Sequence, residues 1–244
     1  MKHAKRYFSL TVIFEDYDKV NDGGNCLFAL EPHDVLPVSI FWASDYLEVL
    51  PKHRNLGCMT GILFKIPILK HIYTWMSATD VSRKFVEKLL AKGYSLTINP
   101  GGVKEVAELV NEDVRTLILK PRLNFTKLAM RSGVPIVPVY TFGQDKCYDF
   151  FISKDKTLVD IGRKVGVLPM YFSGLFGIPF GPPKPVPLTV VVGSPIYVPQ
   201  MDDPSDEDTK LHHDRFVQAV ENLYNNNKSK YGNSSNVITR FSTW

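Results

Sequence analysis

Four short apolar runs limit what this chain can become. They are NCLFAL (25–30), YSLTIN (94–99), PIVPVYTF (135–142) and PLTVVVG (187–193). Each is β-rich and bounded by Gly, Pro or Asn, so each reads as a strand. Near-continuous apolar runs suit parallel strands covered on both faces. Helical patterns lie between them. Before the second run, Val81, Phe85 and Leu89 fall on one stripe, Thr79 or Asp80 can cap its start, and Gly93 can stop it. Before the third, a short amphipathic segment has Asn124 placed to cap and Gly133 to terminate. Near the end, Phe216, Val217, Val220 and Leu223 form a last stripe. This alternation predicts an α/β layered fold with a mostly parallel central sheet flanked by helices. No repeat or linker interrupts it, so residues 1–244 are expected to form one domain with a polar, fraying tail after about residue 226.

Composition narrows the class. Hydrophobic residues make up 44% and charged ones 22%, which is globular rather than disordered. The net charge of +4 is mild and suits an anionic ligand or a membrane surface without selecting either. Cys26, Cys58 and Cys147 form no CxxC pair, which argues for a reducing compartment and against a disulfide scaffold or a zinc site. The first residues lack the apolar core of a secretory signal, and no stretch gives the roughly 20 clean apolar residues of a membrane span. Residues 165–183, VGVLPMYFSGLFGIPFGPP, come near that length and carry no charge. Pro169, Pro179 and Pro182 and four glycines forbid a regular helix through them. Two readings of this loop stand side by side: a loop buried under neighbouring elements, or a segment that meets a bilayer interface or lines a lipid tunnel.

Three constellations can carry chemistry. The first is Glu31-Pro32-His33-Asp34 at the end of the first strand. The carboxyl edge of an α/β sheet is where sites form. Residues two apart in extended chain share a face, so Glu31 and His33 can lie side by side and a carboxylate can support an imidazole that takes a proton. Taken alone, His33 is equally a solvated residue at a strand end. The second is INPGGVKE (98–105), where Gly101 and Gly102 let the backbone pass close to a ligand and its N–H groups could hold an oxyanion or phosphate. A helix can begin near Val103, with Glu105 in its first turn. The plain alternative is a tight turn that uses glycine for its angles. The third is Arg122, Lys127 and Arg131 on a short helix, suited either to the phosphates of a nucleotide-bearing acyl donor or to a solvated face. Other chemistries fall away. There is no G-x-S-x-G elbow and no G-x-x-x-x-G-K-[ST] loop, and His212 and His213 point about 100° apart on a helix, poor geometry for a shared metal.

Five blocks in order carry a resemblance. YFS, LEPHDVLP, NPGGVKE, the R-x-x-F-x-K-x-A stretch running into VPVYTFG, and VVGSPI follow one another as they do in the type-2 diacylglycerol acyltransferase family, which includes monoacylglycerol acyltransferases and wax synthases. The resemblance runs from Tyr7 to about Tyr231, and its Glu-Pro-His block looks like the plant and algal branch. It implies a glycerolipid-acyltransferase-like fold and an acyl-CoA-dependent enzyme that esterifies a neutral lipid hydroxyl, converting diacylglycerol to triacylglycerol. His33 would be the general base, and Glu31 or Glu105 would orient it, the resemblance favouring Glu105. Gly101 and Gly102 would bind the oxyanion, and Arg122 and Lys127 the acyl-CoA. Phe172, Phe176 and Phe180 would meet lipid or membrane. No metal or other cofactor is implied; acyl-CoA is a substrate, and nucleic acid is not a partner. The expected location is the cytosolic face of the endoplasmic reticulum membrane or the lipid droplet.

Departures from the pattern inform the substrate. The related glycerol-phosphate acyltransferases carry Asp five residues after the histidine, where this chain has Val38, and an arginine after the Gly pair, where it has Lys104. That points to a neutral acceptor. Asn124 stands where the family has Gly. Family members carry an N-terminal hydrophobic hairpin before the Tyr-Phe block, and this sequence starts almost at that block; it is either a short member or a truncated one, and the sequence given does not support insertion by a hairpin. Monoacylglycerol, wax alcohol or phytol are alternative acceptors. A non-catalytic lipid-binding protein of the same fold is the rival from another class.

Overall fold

The computed structural model describes residues 2–44, 47–102, 105–106, 114–153, 170–232 and 238–241. Its centre is a seven-stranded sheet in the order β1-β10-β7-β2-β5-β3-β4. The strands are β1 (Thr11–Phe14), β2 (Leu27–Glu31), β3 (Asn55–Met59), β4 (Ala78–Asp80), β5 (Ser95–Ile98), β7 (Ile136–Phe142) and β10 (Thr189–Val192). Five neighbouring strands from β7 to β4 run parallel, and β10 meets β7 antiparallel with β1 beside it. The four apolar runs are the strands β2, β5, β7 and β10, and the mostly parallel sheet is as expected. Outside it, β6 (Val114–Leu117) pairs with β11 (Ile238–Phe241), and β8 (Asp149–Ile152) pairs with β9 (Met170–Ser173).

Strand β2 shows why the runs are unbroken. Leu27 to Leu30 are fully buried, because alternate side chains enter two different cores. Leu27 and Ala29 join a core with Leu96, Ile98, Phe125 and Phe216. Phe28 and Leu30 join another with Ile40, Trp42, Val137 and Val190. The first core is covered by α4 (Arg83–Ala91), α5 (Leu123–Ser132) and α6 (Asp206–Tyr231). The shorter helices α1 (Lys2–Tyr7), α2 (Tyr17–Asp22) and α3 (Pro67–Trp75) complete the described helical elements together with short 3-10 turns.

Helix α6 is anchored as its sequence suggests. Ser205 and Asp208 form a reciprocal capping box, and Phe216, Val217, Val220 and Leu223 are buried. It continues through the polar stretch to Tyr231, and Ile238–Phe241 lies beyond as β11, so the described residues past Asn225 are regular where fraying was expected. Gly93 and Gly133 follow α4 and α5 with left-handed φ of 81° and 63°, which makes them the helix stops. Other local expectations need correction. Thr79 and Asp80 belong to β4, and Ser82 takes the N-cap position of α4. Val86 and Leu90 are the buried stripe there, while Phe85 is 54% exposed. Two apolar stripes lie side by side on this helix, and only contact with β5 and α5 selects between them. Asn124 sits inside α5, whose N-cap position is Arg122. The uncharged loop is partly regular, since Met170–Ser173 forms β9; its residues 165–169 lie outside the described ones.

Phe216 is the fixed point of the helical layer, fully buried with its ring centroid 4.9 Å from that of Phe125. Phe216→Ala should cost about 3–5 kcal/mol, read as a lower urea midpoint at unchanged slope.

Candidate active site

The parallel strands end on one edge, and that edge gathers the polar residues. His33 follows β2, Asn99 to Gly102 follow β5, Thr60 follows β3 and Val81 follows β4. Parallel pairing of β2 with β5 in the register Ala29↔Ile98 therefore sets the histidine loop beside the glycine turn.

The Glu31–Pro32 peptide is cis, and His33 comes next, half-buried. Its Nδ1 lies 2.9 Å from the main-chain carbonyl of Asp34. A carbonyl only accepts, so Nδ1 carries the proton and Nε2 is left as the acceptor. Burial lowers the imidazole below its ordinary pKa, and the Asp34 carbonyl opposes this in part. A neutral imidazole with an unprotonated Nε2 is the form a general base needs.

The bond that fixes the ring therefore runs to a main-chain carbonyl rather than to Glu31 or Glu105. Both carboxyls hold the surrounding backbone instead. Glu105, buried, accepts the main-chain N–H of His33 at 3.3 Å and that of Ile118 at 2.8 Å. Glu31, also buried, accepts the N–H of Gly101 at 3.0 Å. Gly101 is thus not an available oxyanion donor, which corrects half of the expectation for the glycine pair. Gly102, with φ 58°, lines the cavity beside His33. Gly101 is glycine for another reason: a Cβ there would fall 1.9 Å from the Glu105 carboxyl. The carboxyl occupies the space a side chain would fill.

The two carboxyls are electrostatically one unit. Burial raises both above the ordinary range, Glu105 to about 7 and Glu31 further. The charge of Glu105 and a hydrogen bond to it also raise Glu31, while the N–H groups of Ile118 and His33 and the bond from Glu31 favour an ionised Glu105. Glu31 is therefore the carboxyl that keeps the proton, and Glu105 the one that takes the negative charge.

Residues that the sequence did not single out complete the frame. Gln144, buried just beyond β7, donates from Nε2 to the carbonyls of Pro32 at 2.7 Å and His33 at 3.3 Å. Its Oε1 accepts from the N–H and hydroxyl of Ser39 at 3.1 and 2.6 Å, and Thr141 donates to the Ser39 hydroxyl at 3.1 Å. Asn99 donates to the Leu30 carbonyl at 2.7 Å, leaving its own Oδ1 buried and without a partner. The one available signal was position, since Gln144 and Asn99 both sit at strand ends.

Two cavities meet here and share Val81 and Asn99 as wall. The first, about 450 Å³, is lined by His33 and Gly102 together with apolar side chains such as Leu36, Val106, Phe172 and Phe180. None of its described lining residues is charged. The second, about 540 Å³, carries Arg83, Arg122, Lys127 and Arg131. Arg122 donates to the Gly101 carbonyl at 2.7 Å, tying the basic wall to the glycine turn. Lys127 pairs with Asp206 at 2.7 Å and Arg131 with Asp203 at 3.8 Å. The sequence-predicted residues His33, Glu31, Glu105, Gly101, Gly102, Arg122 and Lys127 thus converge on one edge. Phe172 and Phe180 join them in the apolar wall, whereas Phe176 projects away at 89% exposure.

Two other histidines, both buried, are structural. His53 bridges Ser95 at 2.7 Å and the Val20 carbonyl at 2.8 Å. His213 bridges Thr126 at 3.0 Å and the Leu119 carbonyl at 2.8 Å. No cluster of metal-ligating side chains occurs among the described residues.

Comparison with known proteins bears on this arrangement. A family model described as diacylglycerol acyltransferase matches residues 1–240. Diacylglycerol O-acyltransferase 1 of Eremothecium gossypii is 31% identical, over 88% of this chain and 50% of that protein. Diacylglycerol O-acyltransferase 2 of Dictyostelium discoideum is 30% identical, over 93% of this chain and 73% of its own length. The mouse protein of the same name is 29% identical, over 85% of this chain and 58% of that one. The chain thus spans between half and three-quarters of the length of these relatives. Among solved structures, the 1-acyl-sn-glycerophosphate acyltransferase of Thermotoga maritima superimposes with a TM-score of 0.52 over 92% of this chain and 75% of that one. At 12% identity, that likeness speaks for the fold alone.

Two predictions test the frame. Gln144→Leu strands the Pro32 and His33 carbonyls and the Ser39 N–H, and should cost roughly 2–4 kcal/mol of stability. Urea unfolding of the variant measures this. The carboxyl pair predicts a pH dependence. An unfolded Glu105 ionises near 4.5 and the folded one near about 7, so its contribution is complete below the first value and is lost as pH rises through the second. Glu31→Gln keeps an acceptor for the Gly101 N–H and offers Glu105 a permanent donor. Urea midpoints across this range should fall less with pH in the variant than in the native protein; equal slopes would remove the pair as their cause.

Proposed function

The chain belongs to the diacylglycerol acyltransferase family, and from that footing we propose that it moves the acyl group of acyl-CoA onto the hydroxyl of diacylglycerol, forming triacylglycerol. The observation that carries this reading is His33: a neutral imidazole, held through Nδ1, in the wall of an uncharged cavity that adjoins a basic one. Nε2 takes the proton of the acceptor hydroxyl as its oxygen attacks the thioester carbonyl. The carbonyl electrons move to oxygen, and the turn at Gly102 receives that charge. Collapse re-forms the carbonyl, breaks the C–S bond and releases CoA thiolate, which takes the proton from the imidazolium. A thiolate is a weak base and leaves without strong acid help.

The basic cavity supports placing the phosphates of CoA at Arg122 and Lys127, with Arg83 and Arg131 beside them. The apolar cavity supports a neutral acceptor, because a phosphate monoester there would lose its water with no cation among the described residues of the wall to replace it. The Glu-Pro-His block supports a place in the plant and algal branch. We assign the chain to a membrane surface, either the cytosolic face of the endoplasmic reticulum or a lipid droplet. No described helix is long and apolar enough to cross a bilayer.

His33→Ala should fold normally and lose roughly 10²–10⁴ in acyl transfer. A folded variant with near-native turnover would remove His33 as base. In competition between equimolar diacylglycerol, monoacylglycerol, a long-chain alcohol, phytol, glycerol 3-phosphate and lysophosphatidate, labelled acyl groups should accumulate in triacylglycerol. Predominance of a phosphate-bearing product would overturn the neutral-acceptor reading.

A further inference from the structure

Large apolar side chains in water are ordinary when scattered, but here they gather in two segments. One is the 3-10 turn Gly61–Lys65 with α3, where Ile62, Ile66, Ile72 and Trp75 are exposed, Trp75 by 71%. Ile72 and Trp75 are three residues apart and so share a helix face. The other is the β8–β9 hairpin and the turn after it, which expose Phe151, Tyr171, Phe176, Ile178 and Phe180.

Three observations give these segments a common purpose. First, both build the wall of the His33 cavity: Leu63 comes from one, and Met170, Phe172 and Phe180 from the other. The cavity lies between them. Second, Phe176 and Phe180 hold left-handed φ of 56° and 53°. Bulky aromatic residues avoid that region, and here the strain sets Phe176 outward and Phe180 at the cavity rim, against Phe172 and half in solvent. Third, the first segment is basic. Residues 61–75 contain Lys65, Lys70 and His71 and no acid, Asp80 lies against Gly61 at one end, and the second segment carries the Lys184–Asp149 pair. Among the described residues, Lys65 and Lys70, both exposed, are cations beside the apolar face. Cations interleaved with aromatic and aliphatic side chains fit the headgroup layer of an anionic bilayer.

We propose that α3 and the β8–β9 hairpin are two feet on which the chain rests on an anionic phospholipid surface, with the His33 cavity opening between them. This rests on the neutral-lipid reading above and deepens it. An acceptor dissolved in the membrane then reaches His33 through the footprint without crossing water.

The test separates footing from turnover. The chain is mixed, without substrates, with phosphatidylcholine vesicles containing or lacking phosphatidylserine, and floated on a density gradient. It should float with phosphatidylserine and be partly released by salt. The protein has three tryptophans, of which Trp42 is buried. The emission that Trp75→Phe removes should shift to the blue on vesicles and be quenched by brominated acyl chains. Ile72→Ser with Trp75→Ser, and separately Phe176→Asp, should each weaken flotation roughly tenfold. The first of these should also acylate detergent-dispersed diacylglycerol within about twofold of the native rate, since these side chains lie outside the cavity walls. Failure to float, flotation with Trp75 emission unchanged, or a homodimer that these substitutions convert to monomer would each overturn the footing. Flotation as described with no acylation of diacylglycerol would uphold the footing and sink the reaction.

Discussion

Two carboxyl groups buried side by side hold the edge of the sheet in working order. Alone, either one would be costly to bury. Together they can share a proton, and their oxygens hold the backbone N–H groups of three different segments, at Gly101, His33 and Ile118. Three loops that are distant in sequence are thereby fixed to one another at a point where the backbone has left its strand partners. The imidazole is positioned only because its own backbone is. Its ring needs just one further bond, to the carbonyl of the next residue.

Around that point the protein separates two solvents. Burial and uncharged described walls give one cavity the character of oil, while four cations give the adjoining one the character of a phosphate receptor. The cations are not idle without a ligand. Arg122 already holds the Gly101 carbonyl, and Lys127 and Arg131 lean on the aspartates at the start of α6. Exposed pairs of that kind are weak and exchange readily for a better anion.

Much of the architecture was legible because β2, β5, β7 and β10 are covered on both faces, which leaves unbroken apolar runs in the sequence. Strand β3 was not, because buried Asn55 bonds Thr97 at 3.0 Å inside the sheet and disguises the pattern. The stretch before α4 misled for the opposite reason: two apolar stripes fitted the helix period equally well. Within the site, His33, Glu31, Glu105 and the glycine pair announced themselves as chemistry at strand ends. What they do to one another did not. The partner of the ring is a backbone atom, invisible in any residue type, and Gln144 stands 111 residues from the histidine whose carbonyl it holds. The sequence offers Gly101 as an oxyanion donor or, more plainly, a turn residue; its missing side chain proves to be a seat for Glu105.

Val81 and Asn99 stand in the walls of both cavities, so a single layer of side chains divides the charged recess from the oily one. A compartment with two entrances and one party wall can be filled from either side in either order. Neither occupant has to leave before the other arrives. For the proposed transfer, such a plan favours a ternary complex over a relay in which the protein itself carries the group from one visitor to the next.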